Sequence, residues 1–213
     1  MSNGDDTVVE PWNADSVAST YAWPDQFWVR ANLVASPTGS IVGSSGTSSD
    51  LTTSEDRGIL RRIRANCDAL IVGAASIRAE GWHLPPRGHT FVLSANKPLP
   101  WDSCPDTSRV TVWPATSGEN LATTVRRLTD FLVSEGYRSV LCEGGLATVR
   151  ALADEKLLLE ACVTVRGSAR ADALEAFRVL LPHATDCVPH RMMASPDNAT
   201  IFSVWRCAND SVA

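Results

Sequence analysis

The chain has 213 residues, 44% hydrophobic and 20% charged, which suits one globular domain with a sizeable core and is too short for two large ones. A net charge of -5 and a pI near 5.3 exclude a broad electrostatic footprint for nucleic acid and leave small molecules as expected partners, with a local basic pocket for a phosphorylated ligand still open. The polar, acidic start lacks the basic and apolar regions of a signal peptide, and no run is long enough to span a bilayer, so the expected location is the cytoplasm, without membrane contact.

In chain order, residues 1 to about 24 lack sustained periodicity and contain Pro11 and Pro24, which predicts an arm ahead of a single domain over residues 25–213. Residues 28–35 and 68–72 read as strands. Between them Ile59, Leu60 and Ile63 form the apolar stripe of a helix that Thr53 or Ser54 can cap. Residues 91–93 and 109–113 are further strands, separated by a loop holding Pro98, Pro100 and Pro105. Leu121, Val125, Leu128 and Leu132 recur at helical spacing up to Gly136, and residues 139–142 form a strand before Glu143-Gly144-Gly145 and a helix from about residue 146 to 153. A strand at 161–165, a helix at 172–180 and a closing hairpin at 191–193 and 201–206 around Ser195-Pro196-Asp197-Asn198 complete the pattern. Alternation of short β-branched runs with helical ones predicts an α/β fold with a mainly parallel sheet and a C-terminal antiparallel hairpin.

Three stretches carry candidate chemistry. Asn32-Leu33-Val34-Ala35-Ser36-Pro37-Thr38-Gly39 ends a strand in turn residues, where open α/β sheets bind ligands, although taken alone an ordinary turn without function is the stronger reading. Ala69-Leu70-Ile71-Val72-Gly73-Ala74-Ala75-Ser76-Ile77 runs a buried strand into small residues, which serve either a close ligand approach or tight strand-helix packing. Val140-Leu141-Cys142-Glu143-Gly144-Gly145 repeats the strand, glycine, helix order without the Gly-x-Gly-x-x-Gly fingerprint. Two such junctions in one parallel sheet lie along the same carboxyl edge and are more informative together.

Other chemistries find little support. The six cysteines (Cys67, Cys104, Cys142, Cys162, Cys187 and Cys207) form no Cys-x-x-Cys pair and are expected to be free thiols. No phosphate loop, nucleophile elbow or deaminase His-x-Glu element is present, and no metal is expected.

The three stretches, with Gly46-Thr47-Ser48-Ser49-Asp50-Leu51-Thr52 and Ile63-Arg64-Ala65 between them, resemble the reductase domain of the bifunctional riboflavin-biosynthesis deaminase-reductase, and more closely its monofunctional actinobacterial relatives. The resemblance runs over residues 26–207. It departs from the pattern where Thr38 replaces an Asp, Ala75 and Ser76 replace Gly and Thr, and Leu146 follows the double glycine in place of Pro.

What the resemblance implies is a dihydrofolate-reductase-like fold, NADPH as cofactor, a phosphorylated pyrimidine as substrate and a homodimer. It assigns Ser36, Gly73, Ala74, Ser76, Ile77, Ser94, Lys97, Gly144, Gly145 and Leu146 to the cofactor. It assigns Asn32, Ser48, Thr52, Arg64 and Arg87 to the substrate, and offers Glu80 and Glu143 as acid-base or orienting groups. Trp23, Trp28, Trp82, Trp101, Trp113 and Trp205 are candidate anchors for the dimer.

Overall fold

The computed structural model describes residues 7–94, 97–114, 116 and 118–208. The acidic start, and Ala95 and Asn96 of the polar segment ending at Lys97, lie outside the described residues. Nine strands form one sheet in the order β1-β8-β9-β7-β2-β6-β3-β4-β5, which with its flanking helices makes the fold the expected α/β type. The chain divides into two compact units, one of Trp23–Ala31 and Ile63–Leu158, the other of Met1–Ala22, Asn32–Arg62 and Leu159–Ala213.

In the first of these units, the start of β2 (Trp28–Ala35), β6 (Ser139–Cys142), β3 (Ala69–Gly73), β4 (His89–Ser94) and β5 (Val110–Pro114) pair in parallel throughout. Helices α3 (Ala74–Glu80), α4 (Leu121–Ser134) and α5 (Leu146–Asp154) follow β3, β5 and β6. Strand β6 is buried at every residue, as expected for a parallel strand covered on both faces. Helix α4 starts where the Asn120 side chain accepts from the Thr123 amide at 2.9 Å and turns off at Gly136, whose φ of 80° suits glycine. Its Val125, Leu128 and Leu132 are all 0% exposed, which stabilises the helix by roughly 1.5–3 kcal/mol per side chain.

The other unit holds the antiparallel set β7 (Glu160–Val165), β9 (Ile201–Cys207) and β8 (Cys187–Ala194), with α2 (Ser54–Ala65) entering it and α6 (Arg170–Leu180) following β7. Thr53 caps α2 through the Asp56 amide at 3.2 Å. Where an arm is expected, β1 (Val9–Pro11) pairs in parallel with β8 and α1 (Ala14–Thr20) follows, capped by Asn13. This regular structure comes from tertiary contacts: Trp12 packs on Phe202 at 5.0 Å, and Arg191 pairs with Glu10.

Two further expectations change. Cys187 and Cys207 sit opposite one another in the β8-β9 register and form a disulfide, so among the described cysteines Cys67, Cys104, Cys142 and Cys162 remain outside any disulfide. Trp28, Trp82 and Trp205 are 9%, 9% and 4% exposed, so they serve the core, whereas Trp101 is 41% exposed.

Candidate functional site

A cleft forms where β3 and β6, parallel neighbours, deliver their helices along one edge. Gly73 begins α3 and Gly145 begins α5, neither with a side-chain cap. The amides of Glu143 and Gly144 both donate to the Ile71 carbonyl, at 3.0 and 3.1 Å, which draws the second junction against the first. A Cβ built on Gly144 would meet Thr148 at 3.1 Å and the Gly73 amide nitrogen at 3.3 Å, so glycine here permits close packing. A Cβ on Gly145 would find only Ser76 Oγ at 3.9 Å and would otherwise fill the cradle itself.

Above this floor lies a cleft of about 470 Å³. Gly73, Ala74, Ser76, Ser94, Gly145 and Leu146 line it, six of the residues expected at the cofactor. Gly144 is buried beneath the cradle, Ile77 is 2% exposed and faces a smaller cavity, and Lys97 is exposed and does not line the cleft. Ala75, Leu93, Ala147 and Thr148 also line it, as do Arg78, Trp113, Glu119, Leu121 and Thr124, which were not anticipated. For the last four of these the signal is topological, since β5 is parallel to β4 and its following loop must reach the same edge. Arg127 grips the Glu119 carboxylate through Nε and Nη2 at 3.1 and 3.0 Å and lies 4.9 Å over the Trp113 ring. With the Thr116 amide adding a third bond, the Glu119 carboxyl is held down at about 2. Its charge is thus matched inside the fold, and Arg78 is the cation this lining offers to a ligand.

The uncapped start of α5, a glycine-floored cradle and a mostly apolar lining that includes Leu93, Trp113 and Leu121 fit the diphosphate and adenosine of a dinucleotide. Among the described residues no cluster of His, Cys, Asp or Glu could hold a metal ion, and no helix is long and apolar enough to cross a membrane.

Beside the same junctions is a cavity of about 40 Å³ lined by Arg64, Ser76, Ile77, Glu80, Trp82, His83, Leu84, Thr90 and Glu143, among others. Arg64, in the last turn of α2, donates from Nε to Glu143 Oε1 at 2.7 Å and from Nη2 to Oε2. Burial is the largest single influence on Arg64 and works against its charge, but the bond to Glu143 and the charges of Glu143, Cys67 and Glu80 together outweigh it and raise the guanidinium above its ordinary range. Burial, then the charges of Glu143 and Asp68, push the Cys67 thiol up to about 12, and burial pushes Cys142 to about 12.

Arg87 stands elsewhere. It lines a polar pocket with Asp68, Gly88, His89 and Arg138, residues that precede or begin β3, β4 and β6, and so lies at the amino edge of the strands whose carboxyl edge holds the cleft. The two arginines expected to share a phosphate are not brought together, because Gly88 alone separates Arg87 from the first residue of β4.

In the other unit, Asn32 lies half-buried in β2, and Ser36 and Thr38 share a hydrogen bond of 2.9 Å in the turn that follows. Gly39 closes this turn at φ 79° against α6, where a Cβ would fall 2.5 Å from Val179 Cγ1. Thr52 Oγ1 donates to the Ser48 carbonyl at 3.2 Å in the loop leading to α2. Asn32, Ser36, Ser48 and Thr52, all expected at the site, belong to this unit.

No protein-family model matches the chain, and no curated protein matches it in sequence. Solved structures do match. A pyrimidine reductase-like protein from Corynebacterium diphtheriae is 20% identical, with a TM-score of 0.67 over 86% of this chain and 93% of that one. A diaminohydroxyphosphoribosylaminopyrimidine deaminase/5-amino-6-(5-phosphoribosylamino)uracil reductase from Thermotoga maritima is 15% identical, with a TM-score of 0.63 over 91% of this chain and 59% of that one. The present chain therefore spans about three-fifths of that bifunctional protein. A riboflavin biosynthesis reductase from Saccharomyces cerevisiae is 15% identical, with a TM-score of 0.60 over 91% of this chain and 97% of that one. The chain has the fold these reductases share, the dihydrofolate-reductase-like α/β fold that its sequence resemblance implies.

Proposed function

We propose that the chain is an NADPH-dependent reductase that transfers hydride to the anomeric carbon of a phosphoribosylamino-pyrimidine, through its ring-opened imine, to give the ribitylamino product. The observation that carries this reading is the pair of strand-glycine-helix junctions packed side by side under one cleft. The fold, shared with reductases of riboflavin biosynthesis, supports it.

When bound, the nicotinamide supplies the hydride. The chain's own residues do the rest. Gly73 and Gly145 leave room for the diphosphate, the free amides at the start of α5 meet its charge, and Ser76 adds a hydroxyl between them. Glu143 and Glu80 are the carboxyl groups placed to manage the accompanying proton. Ser94 and Arg78 are suited to a 2'-phosphate, with Arg78 taking the role expected of Lys97, so NADPH is preferred over NADH.

A second reading, reduction of another small molecule on the same fold, is favoured by one observation: Arg64 is committed to Glu143 and Arg87 lies at the opposite strand edge. The test follows NADPH consumption with deaminated and undeaminated phosphoribosylamino-pyrimidines in parallel, each with and without its phosphate, beside a titration of NADPH against NADH. Turnover of a phosphorylated pyrimidine is expected. Tight NADPH binding without turnover of any of them would move the assignment to the second reading, and equal binding of both cofactors would remove the preference.

A further inference from the structure

Glu119 is the one carboxylate lining the nucleotide cleft among the described residues, and its side chain is only 7% exposed. Strand register brings it close to the proposed seat of the 2'-phosphate. Ser94, at the end of β4, pairs with Pro114 at the end of β5, and the Pro114 carbonyl accepts from Arg127 Nη2, the same nitrogen that holds Glu119. An acid beside the ribose in an open α/β sheet accepts from the 2'-hydroxyl of NADH and repels the 2'-phosphate of NADPH. Left bare, Glu119 therefore selects against the cofactor proposed above.

It is not bare. Arg127, on α4, donates from Nε to Glu119 Oε1 at 3.1 Å and from Nη2 to Oε2 at 3.0 Å. The Thr116 amide donates to Oε2 at 2.7 Å, and the Glu119 amide donates back to the Thr116 carbonyl at 2.9 Å, so the segment before α4 closes on itself. The guanidinium also lies 4.9 Å over the Trp113 ring, which packs on Phe131 of the same helix at 5.0 Å. An exposed pair of long side chains contributes little because both ends are free to swing. Here the acid is buried and the fork is fixed by a carboxylate, a carbonyl and an indole face, so the cation is preorganised.

We propose that Glu119 and Arg127 are the specificity-determining pair of this cleft: Arg127 is a positioning residue that acts through Glu119, cancelling the acid's repulsion of a 2'-phosphate and so opening an acid-lined cleft to NADPH. This rests on the reductase reading above and adds to it the reason for the cofactor choice. It also separates two roles at one phosphate. Arg78 and Ser94 supply attraction, whereas Arg127 removes a repulsion. A residue of the second kind matters only while the acid is present, which makes its effect conditional on Glu119.

The experiment titrates NADPH and NADH in parallel, by calorimetry, into wild type, Arg127→Gln, Arg127→Lys, Glu119→Gln and the Arg127→Gln/Glu119→Gln double variant. Arg127→Gln is expected to weaken NADPH about tenfold or more and NADH less than about threefold, since only NADPH carries the repelled phosphate. Glu119→Gln should tighten NADPH about threefold or more, because it releases the guanidinium with its charge intact, and should not tighten NADH. The double variant should return the ratio of the two affinities to within about threefold of wild type, because the acid and the cation that masks it are both gone. Arg127→Lys should keep most of the preference, since it returns the charge without the fork. Equal weakening of both cofactors in Arg127→Gln would overturn the proposal in favour of a purely structural clasp. A double variant as poor in NADPH binding as Arg127→Gln would overturn it in favour of direct contact between Arg127 and the phosphate. Wild type that binds neither dinucleotide removes the reductase reading and this inference with it, whereas wild type that binds NADPH while every variant keeps its ratio removes this inference alone. Should Arg127→Gln not fold, an unchanged ratio in Glu119→Gln is enough to overturn the proposal.

Discussion

Adjacent glycines at the second junction have different tasks, and that difference is measurable. Gly144 is packed against Thr148 and the Gly73 amide, so Gly144→Ala forces those neighbours apart and should cost about 1–3 kcal/mol of stability, read as a fall in Tm. Gly145 is exposed at the mouth of the cradle, with its nearest neighbour at 3.9 Å, so Gly145→Val should leave Tm nearly unchanged while weakening NADPH about tenfold or more, as measured by titration. Unchanged NADPH affinity in Gly145→Val would mean the cofactor does not lie over this junction. Both glycines were legible in the sequence because a strand, small residues and a helix in succession constrain the backbone locally. The Arg64 partner was not legible, since nothing local links residues 64 and 143. Arg78 was missed for a related reason: only the packing of α3 decides which of its side chains meets the cleft.

At the level of elements, the strongly periodic segments were recovered closely from the sequence. Strand β2 spans Trp28–Ala35 as read, α4 begins at Leu121 behind its Asn120 cap, and α5 begins at Leu146 directly after the double glycine. What escaped was short structure made by partners distant in sequence. Strand β1 has three residues and no internal pattern; it exists because β8 offers an edge and Arg191 ties Glu10, Ser16 and Thr20 together. The disulfide escaped likewise, because Cys187 and Cys207 become neighbours only once the β8-β9 register is set. It closes a loop with a sequence separation of 20, for which chain-entropy arguments give about 3 kcal/mol of stabilisation. Cys187→Ser should therefore melt at a lower temperature than wild type without reductant, and reductant should bring wild type down to the variant. Identical melting of both proteins under oxidising conditions would show that the hairpin holds itself.

Over the whole molecule, a net charge of -5 must be reconciled with the polyanionic cofactor proposed above. The reconciliation is local: the acidic side chain lining the cleft, Glu119, is neutralised by Arg127, and what faces a ligand is Arg78 together with unpaired amides at the start of α5. Binding that draws on so few elements should stabilise them selectively. By linkage, NADPH at a hundredfold excess over its Kd stabilises the protein that binds it by about 2.7 kcal/mol. Hydrogen exchange should record this gain most strongly over residues 73–78 and 143–148, where the two junctions meet, and least over residues 187–207, the hairpin of the other unit. NADH should produce the same pattern at higher concentration, because it keeps the diphosphate and loses only the 2'-phosphate contact. Protection centred on the pocket of Arg87 and Arg138 instead would place the nucleotide at the amino edge of the strands, and the glycine junctions would then be packing devices alone.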